Sequence, residues 1–188
     1  MRGTPENKTT EESFVTAGIQ AIRGMPIGET GLVLGTGENT PEWKNRGWLT
    51  LDISPRQKAD FTADARYTPE ILRRTDHYPL DYLAAEGIWF GEPPKWFELD
   101  KRLANQLKHT ILPSSTGITI EELTEVANQS LKDGGVFVYI GASEEWLPTM
   151  EEELSHLGFE TRIQEVEWVK RNPDHSPITA PAVFAKKR

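Results

Sequence analysis

Hydrophobic residues in this chain fall either into short continuous runs or into the spacing of an amphipathic helix. Short runs bounded by turn residues predict buried β-strands, and helical spacing or helix-capping residues predict helices that pack on a sheet. The runs predict strands at 32–34, 48–51, 60–64, 80–86 and 136–140. The other pattern predicts helices at 13–23, 41–46, 69–74, 99–112, 120–131 and 146–157. The alternation of strands and helices predicts an α/β sheet.

The end of the chain has a different pattern. Residues 160–169 alternate polar and apolar side chains, which is typical of a strand with one wetter face. A turn at 172–177 separates them from a last apolar strand at 182–185. At the other end, the polar residues 1–12 predict a flexible tail. We find no internal repeat and no second domain, so residues 13–188 are expected to form a single domain.

Composition and charge narrow the possible functions. The chain has 188 residues, 37% of them hydrophobic, which suits one globular domain with a sizeable core. Its formal net charge of −8 repels phosphate backbones and argues against a nucleic-acid partner. No apolar run is long enough to span a bilayer, and the start lacks an apolar signal core, so we expect a cytoplasmic protein without a membrane partner. Cysteine is absent, which excludes disulfides and thiolate chemistry.

Candidate chemistry is concentrated between the first predicted strand and the third. The first strand is followed by the turn Gly35–Gly37, and glycine lets a backbone turn sharply and come close to a ligand. Asp52 ends the second strand, at the edge where ligands bind in open parallel sheets. Its carboxylate can accept hydrogen bonds from both hydroxyls of a ribose. Asp64 and Ala65 follow in the third strand, within reach of a base, so this order predicts a nucleotide-binding site.

Two segments, LVLGTGENTPEWKNRGWLTLDISP (32–55) and KADFTADARYTP (58–69), resemble the class I S-adenosylmethionine-dependent methyltransferase superfamily. The resemblance is specific from Leu32 to Arg66 and rests on the glycine turn, the Gly-Trp pair before a strand ending in Asp, and the Ala-Asp-Ala-Arg of the third strand. It is looser afterwards. The chain departs from the family at Val33 and Leu34, where an acidic residue is expected, and its first helix has room for only about two turns.

The resemblance implies an α/β fold with three layers, namely a doubly wound, mostly parallel seven-stranded sheet that closes with a C-terminal antiparallel hairpin. It also implies S-adenosyl-L-methionine as the cofactor and methyl transfer to an unidentified acceptor, which we expect to be a small molecule. Carried onto this chain, Gly35, Thr36 and Gly37 would line the methionine and ribose, Asp52 would hold the ribose hydroxyls, Ile53 would flank the adenine, and Asp64 with Ala65 would meet the adenine edge.

Three titratable residues are candidates for acid–base catalysis, which the reaction needs only if the acceptor must lose a proton. They are Glu86 at the end of the fourth predicted strand, His77 in the loop before it, and Tyr139 in the fifth. A surface acid explains Glu86 equally well. The segment IWFGEPPKWF (88–97) predicts an aromatic loop over the site or a helix-packing patch. It does not match the Asp/Asn-Pro-Pro-aromatic motif of amino-methyltransferases.

Two other functions stay open. A nicotinamide-dependent oxidoreductase uses a similar glycine turn, but the third glycine of its motif is missing, since Pro41 and Glu42 occupy that neighbourhood. A non-catalytic protein with the methyltransferase fold would bind a partner through its aromatic loop, and the short first helix and the missing acid favour that alternative. The four histidines are far apart in the sequence and form no ligand-spaced pair, so we expect no metal site.

Overall fold

The computed structural model describes residues 13–88, 90, 117–141, 144–171 and 176–188. Five α-helices and seven strands form along these parts of the chain. In chain order they are α1 (Ser13–Arg23), β1 (Gly31–Leu34), α2 (Thr40–Asn45), β2 (Leu49–Asp52), β3 (Phe61–Thr62), α3 (Thr68–Arg74), β4 (Leu80–Ala85), α4 (Ile120–Ser130), β5 (Leu131–Ile140), α5 (Leu147–His156), β6 (Glu160–Arg171) and β7 (Pro177–Lys186). The predicted tail at 1–12, the predicted helix at 99–112 and most of the aromatic segment lie outside the described residues.

The seven strands form one sheet in the order β3-β2-β1-β4-β5-β7-β6. Strands β1 to β5 run parallel, and β7 lies antiparallel between β5 and β6. This architecture confirms the predicted fold class, including the closing antiparallel hairpin. The chain winds outward from β1 through β2 and β3 and then returns to β4 on the other side of β1. That reversal marks the carboxyl ends of β1 and β4 as the place where an open α/β sheet forms a ligand crevice.

Two apolar clusters, one on each face of the sheet, make up the core. Alternation along β1 sends Leu32 and Leu34 to one face, where buried side chains of α3, α4 and α5 cover them. Val33 points to the other face, where α1 and α2 contribute a second cluster that includes the buried Trp43 and Trp48. The fold therefore has three layers, as the sequence predicts.

Threonines at the starts of three helices have two different roles. Thr119 is the N-cap of α4, since its hydroxyl accepts a hydrogen bond from Glu122 N and the Glu122 side chain accepts one from Thr119 N. Thr40 and Thr68 each precede a proline and are the first residues of α2 and α3, not their N-caps. Their hydroxyls donate back to carbonyls three residues earlier, because a short 3-10 turn already leads the chain into each helix.

The later strands extend further than predicted. Strand β5 begins at Leu131, which pairs with Leu80, and a register shift separates this pair from the regular ladder that starts at Val136. The Asp-Gly-Gly sequence at 133–135 therefore lies inside an irregular first half of the strand, where Gly134 has φ +78°. No helix in the described ranges is long and apolar enough to cross a membrane.

Candidate functional site

The glycine turn follows β1 at the predicted position and touches the end of β4. Gly35 has φ +69°, and a Cβ built on it would stand 2.3 Å from the carbonyl oxygen of Glu86. No side chain fits there, so glycine is what allows the two strand ends to approach this closely. Gly37 has φ +49°, and no described atom lies within 4 Å of the position of its Cβ. The first glycine thus faces protein, whereas the second faces no described part of the chain.

Asp52 brings the end of β2 to the same turn. Its Oδ2 accepts a hydrogen bond of 2.8 Å from Gly37 N, and its Oδ1 accepts one of 2.8 Å from Ser54 N. The side chain is buried, with 5% of the residue exposed. A carboxylate offers about four acceptor positions, so these two bonds do not by themselves exhaust its capacity. The two positions that the sequence predicts to share one crevice therefore meet in the structure.

Thr36 contributes backbone rather than a hydroxyl to the turn. It is 2% exposed, and its Oγ1 lies 2.6 Å from Thr40 Oγ1. Because the single hydroxyl proton of Thr40 goes to Gly37 O at 2.8 Å, Thr36 is the donor in this pair. The Thr36 hydroxyl is thus committed to the start of α2, where it holds the turn in place.

The predicted adenine edge is tied together by an arginine that the sequence analysis did not single out. Asp64 is 4% exposed. Its carboxylate accepts a hydrogen bond from Arg66 N at 2.9 Å and forms an ion pair with Arg66 Nη1 at 2.7 Å. Arg66 also contacts Glu122 Oε2 at 3.0 Å and Gly117 O at 2.5 Å. The pairing of Asp64 with Arg66 could have been inferred from an acid two residues before an arginine. The other two partners of Arg66 lie more than 50 residues away, and no sequence pattern indicates them. Next to these residues, Ala65 is buried and Ile53 is half-buried.

Glu86 is an interior residue at the end of β4. It is 1% exposed, so of the two alternatives left open for it the surface acid is wrong. Its Oε1 accepts a hydrogen bond of 2.6 Å from Trp43 Nε1 and a longer one of 3.4 Å from Asn39 Nδ2. Both donors belong to the segment just after the glycine turn. The carboxylate is therefore part of the turn's support, a role that the sequence analysis did not anticipate.

The other two acid–base candidates are not brought together with the turn. His77 lies three residues before β4 begins, at the amino end of the strand, whereas the glycine turn lies at the carboxyl end of β1, which runs parallel to β4. Its ring packs on Phe61, with 6.2 Å between centroids. Tyr139 does lie near the carboxyl end of β5, but burial raises the pKa of its phenol to about 12. A phenol that stays protonated at neutral pH is not a general base there.

The described ranges of the chain contain no cluster of potential metal ligands. No three histidine or carboxylate side chains among them come close enough to hold an ion.

Comparison with known proteins gives structural relatives only. No protein-family model and no curated protein matches the chain. A precorrin-6y C5,15-methyltransferase from Geobacter metallireducens superimposes with a TM-score of 0.51 at 13% identity, over 98% of this chain and 93% of that one. Spermidine synthase from Thermotoga maritima gives 0.50 at 10% identity, over 95% and 58%. A methyltransferase from Pyrococcus furiosus gives 0.45 at 14% identity, over 100% and 88%. At such identities the likeness is one of fold.

Proposed function

We propose that this protein, whose fold is that of the class I methyltransferases, is an S-adenosyl-L-methionine-dependent methyltransferase that acts on a small molecule. One observation carries the proposal: the N–H of Gly37 and the carboxylate of Asp52 meet at 2.8 Å beside the reversal point of the sheet. A glycine backbone and a buried acid on adjacent parallel strands are the groups that an adenosyl ligand needs at this edge.

The residues around this contact fit the cofactor in their chemistry. No described residue lies against Gly37 where its Cβ would stand, which leaves room among the described residues for a ligand to approach the backbone. In the proposed site the backbone of Gly35, Thr36 and Gly37 lines the methionine and ribose. Asp52 accepts from the ribose hydroxyls, Ile53 packs on the adenine, and Asp64 with Ala65 lies at the adenine edge.

The cofactor would supply a methyl group already activated on a sulfonium. The protein then has to bind and orient both partners and exclude water. The glycine turn and Asp52 would fix the adenosyl part, and the buried surroundings of Asp52 and Glu86 would strengthen polar contacts there. We assign no general base among the described residues. Tyr139 stays protonated at neutral pH, and His77 lies at the other edge.

The net charge of the protein is the reason for proposing a small molecule as the acceptor. The chain carries a formal net charge of −8, which opposes association with a phosphate backbone. We also propose that the protein has no nucleic-acid partner and is cytoplasmic.

A non-catalytic binding protein with the same fold is the second candidate, and one observation favours it. Arg66 engages both oxygens of Asp64, so the acid proposed for the adenine edge already has an internal ion pair. A protein that has lost its cofactor could keep such a pair as structural support. Binding of the cofactor separates the two candidates, and a parallel titration with NADH tests the oxidoreductase alternative.

Calorimetric titration with S-adenosylhomocysteine, the demethylated form of the cofactor, tests the proposal. We expect binding by the wild-type protein and at least about tenfold weaker binding by Asp52→Asn, because a hydrogen bond to a charged group is lost. The matched control is Asp60→Asn. The Asp60 carboxylate also accepts a hydrogen bond from a backbone N–H, that of Thr50, but Asp60 lies just before β3, away from the strand ends that form the proposed site. Failure of the wild-type protein to bind at millimolar ligand, with the fold intact by circular dichroism, would contradict the enzyme proposal.

A further inference from the structure

Glu86 has an unusual position for a charged side chain. It is 1% exposed and follows β4 directly, and its backbone N donates to Leu34 O at 3.0 Å in the ladder with β1. Its carbonyl oxygen is the atom against which Gly35 packs. Burying a carboxylate is costly unless hydrogen bonds compensate for the lost water. A residue of this kind at the reversal point of the sheet therefore calls for a specific role.

The hydrogen bonds of the Glu86 carboxylate lead back to the glycine turn. Trp43 Nε1 donates to it at 2.6 Å from a side chain that is fully buried, and Asn39 Nδ2 lies at 3.4 Å. Both donors lie within six residues of Gly37 along the chain. A buried indole N–H needs an acceptor, so the short Trp43 bond satisfies two buried groups at once. It anchors α2, the helix that follows the turn, to the end of β4.

We infer that Glu86 is a positioning residue, which acts through Trp43 to set where Gly37 presents its backbone to Asp52 and to the ligand. The turn is attached on two sides: Asp52 holds Gly37 N from β2, and Glu86 holds Trp43 from β4. These two attachments fix the position of the turn between the ends of β2 and β4. The inference rests on the proposed function for the identity of the ligand, but the support of the turn exists without it. It also replaces the reading of Glu86 as a proton acceptor.

Trp48 provides a matched control for the role of Trp43. It is 3% exposed, and its ring packs edge-on against Trp43 with 5.2 Å between centroids. Its Nε1 donates to a backbone acceptor, Ala21 O in α1, at 2.7 Å. Trp43→Phe and Trp48→Phe therefore remove equally buried indole N–H groups from the same cluster. Only the first loses the bond to Glu86.

The first readout needs no ligand. Amide hydrogen exchange by NMR compares Gly37 with Leu83 in the central strand β4, which reports global opening. Relative to Leu83, we expect Gly37 exchange to be at least about tenfold faster in Trp43→Phe and Glu86→Leu. In Trp48→Phe it should stay within about threefold of wild type, and Glu86→Gln, whose amide oxygen still accepts from Trp43, should lie between. Equal Gly37 exchange in Trp43→Phe and Trp48→Phe would overturn the inference.

The second readout is the affinity for S-adenosylhomocysteine measured by calorimetry. Trp43→Phe and Glu86→Leu should each weaken binding about tenfold, and the loss in the double variant should fall well short of the two single losses combined, because both variants remove the Trp43–Glu86 bond. Independent, additive losses would overturn the inference. If the wild-type protein does not bind, the proposed function fails, but the exchange comparison still decides whether Glu86 supports the turn.

Discussion

At the residue scale, Gly35 and Gly37 are both in the left-handed region, yet an added methyl group meets different surroundings. We predict that Gly35→Ala lowers the free energy of unfolding by at least about 2 kcal/mol, because its Cβ would stand 2.3 Å from the backbone oxygen of Glu86. Gly37→Ala should lose only the left-handed backbone cost of about 1 kcal/mol, and under the proposed function it should also weaken cofactor binding, since no described atom lies within 4 Å of the position of its Cβ. Urea denaturation and calorimetry measure both effects. Equal stability losses would argue against the close approach of β1 and β4.

Tyr139 carries a prediction about alkaline stability. Burial raises the pKa of its phenol from 10.0 to about 12. Since the folded protein holds this proton more tightly than the unfolded chain, the contribution to stability is fully present below pH 10. It is lost as the pH rises from 10 to 12. We predict that Tyr139→Phe makes the fall in thermal stability across this window shallower than in wild type.

Tyr78 is the control for this measurement, because it is 44% exposed. Tyr78→Phe should leave the slope of stability against pH unchanged. Absorbance titration of the tyrosines should lose part of its late-titrating component near pH 12 in Tyr139→Phe, and the remainder should persist because burial also raises the pKa of Tyr82 to about 12. An unaltered slope in Tyr139→Phe would contradict the assigned burial of the phenol.

At the scale of elements, the start of α4 shows how local sequence chemistry determines a helix boundary. Thr119 and Glu122 form a reciprocal pair of hydrogen bonds across the first turn. We predict that Thr119→Ala lowers the free energy of unfolding by about 1 kcal/mol, because one backbone N–H loses its acceptor. Chemical denaturation measures this. Glu125→Ala on the same helix, whose side chain bonds Gln129 at the surface, should cost less than half as much.

The same element also links distant parts of the site. Glu122 binds Arg66, which in turn holds Asp64. The start of α4 is therefore connected to the proposed adenine edge. The helix boundary was predictable from a capping threonine followed by acids, whereas the link to Arg66 was not, because it depends on how α4 packs against the 3-10 turn Ala65–Tyr67.

At the scale of the whole molecule, β7 joins the hairpin to the parallel part of the sheet. Phe184 in β7 is fully buried, and it packs so closely on α1 that a Cβ on Gly18 would stand 2.9 Å from its ring. We predict that Phe184→Ala lowers the free energy of unfolding by about 3–5 kcal/mol, because it opens a cavity between the sheet and α1. Ile163→Ala, at a residue of the neighbouring β6 that is 43% exposed, should change it by about 0.5 kcal/mol or less. Denaturation curves that give similar losses for both variants would contradict this packing.

Much of the architecture followed from the sequence alone, because it depends on local properties. Buried runs such as 32–34 and 48–51 have the composition and length of strands. The glycines after the first run permit a turn that other residues adopt only at an energetic cost. The order of the turn and Asp52 along the chain predicted that they share an edge, and the 2.8 Å bond between them agrees. Amphipathic spacing likewise located α1, α4 and α5 to within one or two residues.

Only the tertiary structure decided what each acid does. Trp43 and Glu86 are 43 residues apart and meet because β1 and β4 are neighbours in the sheet. His77 lies at the other edge because β4 runs parallel to β1, so that the loop before β4 lies at the amino ends of the strands. Periodicity and turn chemistry act over a few residues, whereas the environment of a side chain depends on which strands become neighbours and in which direction they run.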